Sequence, residues 1–183
     1  MNRNHALDLL KQHLKNKNLF KHCLAVEAIM RKIAVRFGDD VERFGLAGLL
    51  HDIDYDTTVD NLAEHSLVGS RILEEAGLDE DIVYAVKVHN EVHGLPRKTL
   101  MDQALYAADP VSGFIIAGAL IKPEKKLAVI DVDFLLNRYK EKGFARGANR
   151  ETMAACQDFG LTLAEFLELA LIACQEINIE LGL

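Results

Sequence analysis

Cysteine is scarce in this chain. Cys23, Cys156 and Cys174 are an odd number among 183 residues and lack zinc-type spacing. That excludes a disulfide framework and a thiolate metal knot, and leaves buried thiols in a reducing compartment. No apolar run approaches the eighteen or so residues of a membrane span. The longest, Val111 to Ile121, is short and contains Ser112, Gly113 and Gly118. The opening Met1-Asn2-Arg3-Asn4-His5 lacks the apolar core of a signal peptide, so a cytoplasmic protein with no membrane partner is expected. Positive charge is also short: the formal net charge is −7 and the pI is near 5.5. Nonspecific nucleic-acid binding needs many phosphate-neutralising cations, so nucleic acid is not an expected partner. A small phosphorylated ligand needs only a local basic cluster. Repeats, low-complexity stretches and linkers are missing, as is any alternating β pattern, although Leu127 to Val132 is open to a strand reading.

Half of the residues are hydrophobic, which argues for a folded chain, and the length suits one domain with a sizeable core. The apolar spacing predicts helix after helix. Leu7, Leu10 and Leu14 form a first stripe, and Leu19 to Phe37 a second helix with Gly38 at its C-terminal cap. Val41 to Ile53 reads as a third, capped by Asp39 or Asp40. His65 to Ala76 is a fourth, stopped by Gly77, and Asp79 opens a fifth that runs to about His89. Thr99 and Asp102 form a capping box for a sixth helix, which Pro110 is expected to interrupt before it resumes. Asp131 caps a segment to Lys142, Asn149 one to Phe159, and Thr162 with Glu165 the last helix, through Leu181. The expectation is an all-α bundle.

Within that bundle the adjacent pair His51-Asp52 ends the apolar run from Leu46 to Leu50. Buried charge needs a partner, and partners recur along the chain: His22, His65, His89 and Asp109. Any one of these histidines could equally be a hydrogen-bonded core residue, and His5, His13 and His93 are read that way. The constellation makes the difference, because five separate elements each offer a ligand near an end or an inward face. Imidazole and carboxylate without thiolate suit iron, manganese, magnesium or catalytic zinc rather than structural zinc. Six ligands exceed the needs of one tetrahedral ion with an open position and are about right for two ions sharing a carboxylate. Asp52 is the natural bridge. Two such ions would activate a water and steady a phosphoryl-transfer transition state.

The order His22, His51-Asp52, His65, His89, Asp109 resembles the HD-domain phosphohydrolase superfamily, over roughly Phe20 to Ser112. The contexts Leu49-Leu50-His51-Asp52, Glu64-His65-Ser66-Leu67-Val68-Gly69, Ala85-Val86-Lys87-Val88-His89 and Tyr106-Ala107-Ala108-Asp109 look like the subgroup with two additional histidines. That subgroup includes HDIG-type proteins and bacterial diadenosine tetraphosphate hydrolases. The resemblance implies a single HD-type domain over 1–183, with a metal-site core at about 20–112 and C-terminal helices at about 113–183 packing on it. It implies that His22, His51, Asp52 and Asp109 hold one divalent ion and His65, His89 and Asp52 a second, with Asp52 central to catalysis. It further implies that a metal-bound water or hydroxide attacks a phosphoester or phosphoanhydride. Two departures bear on the substrate. Asp54 stands where HDIG proteins carry glycine, and Tyr55 where the tetraphosphate hydrolases carry lysine, which puts a dinucleotide polyphosphate in doubt. Asp54 and Asp56 read as a solvated loop or as acceptors behind a ligand histidine.

Between Lys122 and Arg150, eight cations against four anions leave this stretch at +4 and the rest of the chain at −11. A solvated helix face accounts for most of that. Arg146 and Arg150, beside Gly147, are the candidates for substrate contact. Lys87 is expected to face away from His89, and Arg97 to stand at the cleft mouth. The function expected is a metal-dependent phosphohydrolase acting on a nucleotide or another small phosphorylated metabolite. A di-iron oxygenase and a non-catalytic nucleotide-binding sensor are the alternatives, and a homodimer is left open.

Overall fold

Polar caps set the helix starts. A computed structural model describes residues 1–183. It contains α1 (Arg3–His13), α2 (Lys17–Phe37), α3 (Val41–Leu50), α4 (Tyr55–Thr58), α5 (Leu67–Glu75) and α6 (Glu80–Val88). These are followed by α7 (Leu100–Leu120), α8 (Val132–Tyr139), α9 (Arg150–Ala154), α10 (Leu163–Glu176) and α11 (Asn178–Leu181). Asn16, Asp40 and Asn149 each accept from two backbone amides at the start of α2, α3 and α9. Both capping boxes form, Thr99 with Asp102 on α7 and Thr162 with Glu165 on α10. Gly38 ends α2 at φ +72°, a conformation that costs glycine little.

The fold is an all-helical bundle without strands. Leu127–Val132, open to a strand reading, is instead a 3-10 turn at Leu127–Val129 followed by the start of α8. A single apolar core draws on α1, α2, α3, α6, α7 and α10 together. The three cysteines are buried and unpaired. Burial pushes the Cys156 thiol up to about 11 and that of Cys174 up to about 12.

Pro110 does not interrupt α7. The helix runs unbroken through it. A proline inside a helix costs about 3 kcal/mol. Beyond it, Val111, Phe114 and Ile115 are fully buried. At about 1.5–3 kcal/mol for each large apolar side chain, their burial outweighs that cost. Other boundaries moved as well. The helix expected from His65 begins at Leu67, the third ends at Leu50, and α4 was not foreseen.

Close packing of α2 on α3 positions everything that follows. A Cβ on Gly48 would stand 2.8 Å from the Val26 carbonyl oxygen and 2.9 Å from the Glu27 Cα. The two helices therefore meet backbone to backbone, and this brings His22 on α2 up to His51 at the end of α3.

Candidate metal centre

Two of the histidines use the same device at a helix end. His51 caps α3 and His89 caps α6. A helix leaves its last carbonyls without intrahelical donors. Each ring turns back to use one: His51 Nδ1 lies 2.8 Å from the Gly48 carbonyl oxygen, and His89 Nδ1 lies 2.6 Å from that of Val86. With Nδ1–H donated, the lone pair sits on Nε2, aimed away from the helix. The other two rings are held by side chains. His22 Nδ1 is 2.7 Å from Ser112 Oγ, and that hydroxyl donates to the Asp109 carbonyl, so it accepts from the ring. His65 Nδ1 is 2.9 Å from Asp54 Oδ1.

All four Nε2 atoms converge on Asp52. Its Oδ2 is 3.4 Å from His22 Nε2 and 3.3 Å from His51 Nε2. Its Oδ1 is 3.3 Å from His65 Nε2 and 3.7 Å from His89 Nε2. Each carboxylate oxygen thus faces its own pair of histidines. Asp109 Oδ1 completes one pair, at 3.2 Å from His22 Nε2 and 3.8 Å from His51 Nε2. The ligand atoms of His22, His51 and Asp109 all lie within 4.8 Å of one another, and so do those of His51, Asp52 and His89. These are two candidate metal-binding groups, and they meet at His51.

Two observations show that this donor set fits a divalent cation. His89 Nε2 is buried and makes no hydrogen bond within the chain. The Nε2 atoms of His22 and His51 approach to 3.0 Å, a spacing that two lone pairs do not hold without a cation or a proton between them. In the metal-free chain protons take that place. Burial disfavours the charge on His22, but hydrogen bonds to Asp109 and Asp52 outweigh it and push the imidazole up to about 10. His65 behaves alike: burial opposes its charge, and Asp52 and Asp54 carry it to about 10. Burial also opposes ionisation of Asp52, yet the neighbouring histidines hold its carboxyl well below the usual range. Metal binding requires neutral imidazoles and ionised carboxylates, so loading releases protons.

Asp54 is the residue that the sequence left undecided. It is fully buried, and its Oδ2 accepts from the Ser66 amide at 2.8 Å and the Gly69 amide at 2.7 Å. Gly69 leaves room for that approach, since a Cβ would stand 3.2 Å from the Asp54 carboxyl carbon and press it back by a few tenths of an ångström. Ser66 adopts φ +70°, a conformation that costs a non-glycine residue on the order of 1–3 kcal/mol. Its amide donation to Asp54 offsets part of that cost, and so fixes the His65 ring. Asp56 serves elsewhere, accepting from the Lys15 and Asn16 amides at the turn between α1 and α2.

The cluster opens into a hollow of about 460 Å³. Its apolar wall includes Leu19, Tyr55, Leu62 and Val92, and its polar groups include Asn90, Glu91, Asn149 and Thr152. Tyr106, also on the wall, donates to Glu91 at 2.7 Å and carries the Arg97 guanidinium over its ring at 3.7 Å, but Arg97 does not itself line the hollow. Lys87 faces a separate groove between α5 and α6.

The structure therefore brings His22, His51, Asp52, His65, His89 and Asp109 into one cleft. Arg146 lies on its rim, exposed, in a smaller hollow that also touches His22 and Asp109. Arg150 is not in the cleft. Its guanidinium covers the Phe114 ring and donates to the carbonyls of Tyr139, Phe144, Ala145 and Ala148, so its donors are committed to the fold. Ser112 was missed because no local pattern marks a serine that faces a helix distant in sequence. Asn90, Glu91, Tyr106 and Thr152 were missed for the same reason.

The family model described as HD domain matches residues 19–113. The chain is 36% identical over 100 residues to Ribonuclease Y of Nitratidesulfovibrio vulgaris, covering 54% of this chain and 18% of that protein. It is 38% identical over 89 residues to the uncharacterized protein MJ0778 of Methanocaldococcus jannaschii, covering 46% of this chain and 51% of that one. Over a longer stretch, 151 residues, it is 28% identical to a tRNA (cytidine(56)-2'-O)-methyltransferase of Thermoplasma volcanium, covering 79% of this chain and 43% of that protein. The matched region is thus under a fifth of the Ribonuclease Y chain and about half of the other two.

Proposed function

The chain belongs to the HD domain family, and from that premise we propose that it is a metal-dependent phosphohydrolase acting on a nucleotide or another small phosphorylated metabolite. The observation that carries the reading is Asp52, whose two oxygens face two histidine pairs within a cleft large enough for a small organic phosphate. His22, His51, Asp109 and Asp52 Oδ2 would hold one ion; His65, His89 and Asp52 Oδ1 would hold a second. Bound there, the ions would polarise a phosphoryl group and lower the pKa of water.

The remaining work falls to the chain's own groups. Ser112, Asp54 and the carbonyls of Gly48 and Val86 fix each imidazole by its Nδ1, so that Nε2 is presented without reorganisation. Leu19, Leu62 and Val92 give one side of the cleft an apolar surface. Tyr55 sets its ring edge-on to His65, with centroids 5.2 Å apart. Asn90, Asn149 and Thr152 offer hydrogen bonds to the organic part of the substrate.

The test is turnover by protein loaded with manganese or iron. The panel spans phosphomonoesters, phosphodiesters and nucleotides, with short oligoribonucleotides included because two relatives are named for enzymes of RNA. Hydrolysis that falls to background in Asp52→Ala and His51→Ala is expected. Folded, metal-loaded protein inert across that panel would contradict the reading, as would turnover that requires oxygen.

A further inference from the structure

Two hollows leave the metal centre, and their chemistry differs. They share His22, Asp109, Pro110 and Gly147. The larger, about 460 Å³, has no lysine or arginine on its wall and carries the Glu91 carboxylate. The smaller, about 290 Å³, has Arg146. Arg146 is thus the one lysine or arginine lining either hollow.

The loop that carries Arg146 is built with its carbonyls turned to one side. Arg150 Nη2 donates to the Phe144 carbonyl at 2.6 Å, and Nη1 donates to those of Ala148 at 2.6 Å and Ala145 at 3.3 Å. Ala145 is held at φ +44°, a conformation unfavourable for a residue with a Cβ, and Arg150 clamps the chain around it. The amides of Ala145, Arg146 and Gly147 donate to no group within the chain. Successive free amides beside a cation make a cradle for an oxyanion.

We infer that the 145–147 loop is an anion subsite and that the substrate carries a second anionic group beyond the phosphoryl group at the metal centre. The uncharged organic part lies in the larger hollow, and the second anion, a further phosphate or a carboxylate, lies on Arg146 and the loop amides. This inference rests on the phosphohydrolase reading for the chemistry of the neighbouring centre. Arg150 acts as a positioning residue that shapes the loop, and Arg146 sets specificity.

The experiment is calorimetric binding of two probes to manganese-loaded protein, orthophosphate and methylenediphosphonate. The second cannot be hydrolysed at its P–C–P bridge. A charge-assisted contact of the ordinary strength implies that Arg146→Ala weakens methylenediphosphonate about tenfold or more and orthophosphate by less than about twofold. Lys142→Ala, which removes an exposed cation outside both hollows, is expected to change neither. Equal affinity of Arg146→Ala and the unaltered protein for methylenediphosphonate would overturn the inference, as would an equal loss in Lys142→Ala. The two readings fail separately. Should the protein hydrolyse no phosphoester while the Arg146-dependent difference persists, the hydrolase reading falls and the subsite stands. Should it hydrolyse phosphoesters while Arg146→Ala binds both probes unchanged, the subsite falls and the hydrolase reading stands.

Discussion

The two sides of Asp52 are built in different ways. On the Oδ2 side, His22, His51 and Asp109 stand on α2, the end of α3 and α7, three elements fixed by the apolar core and by the backbone contact at Gly48. On the Oδ1 side, His65 precedes a short helix and His89 ends another; there a buried carboxylate, Asp54, and a strained serine hold the geometry. One half is positioned by packing and the other by a polar network. Packing is spread over many contacts and tolerates the loss of one. A buried network fails when a single member is removed, because the partners left behind stay unsatisfied.

The pH dependence tests what the halves share. His22 and His65, one on each side, are both raised to about 10 in the metal-free chain. Each therefore carries a proton at neutral pH that a metal ion must displace. Raising the pH towards 10 removes that competition, so metal affinity increases with pH and levels off above it. The expected slope is roughly tenfold per pH unit for each proton displaced. Metal titrations at a series of pH values with a competing chelator measure it. A pH dependence at one site and not the other would break the symmetry between the halves, and a flat profile at both would contradict the protonation of His22 and His65.

Asp54→Ala sharpens the contrast. It frees the His65 ring and leaves the Ser66 and Gly69 amides without their acceptor. A loss of about 10–100-fold in metal affinity is expected on the Oδ1 side, with the Oδ2 side unchanged. Metal-binding isotherms resolve the two sites. Gly48→Ala does the reverse, since its Cβ would meet the α2 backbone at 2.8 Å and part His22 from His51. A stability loss of about 1–3 kcal/mol is expected in denaturant unfolding, with the weaker metal binding confined to the Oδ2 side. The smallest effect belongs to Ser112→Ala, which removes one acceptor from His22 while core packing still holds the helix. A loss of about 1 kcal/mol in metal binding is expected from calorimetry.

The same contrast explains how much could be read from the sequence. Helices were legible because their signals are local: the Thr99–Asp102 and Thr162–Glu165 boxes and the Asn149 cap formed as the spacing implied. The six ligand positions were legible as residue types recurring near helix ends. Tertiary consequences were not. Pro110 stays within an unbroken run of helix because of what is buried after it, and Ser112 meets His22 across 90 residues of sequence. Asp54 could be read as solvated loop or as acceptor, and only the fold, with Gly69 and Ser66 beside it, decides between them. Arg150 looked like an anion contact because arginines near glycine often are. It is instead a clamp on backbone carbonyls, a role with no sequence signature.

The claim on which the rest depends is that Asp52 joins two ions. Electron paramagnetic resonance of protein loaded with two equivalents of manganese tests it most directly. Ions bridged at about 3.5–4 Å are exchange-coupled, so a broad coupled spectrum is expected in the unaltered chain, reverting to the six-line pattern of an isolated ion in His65→Ala. A six-line spectrum from the unaltered chain, with both equivalents bound, would contradict the bridge.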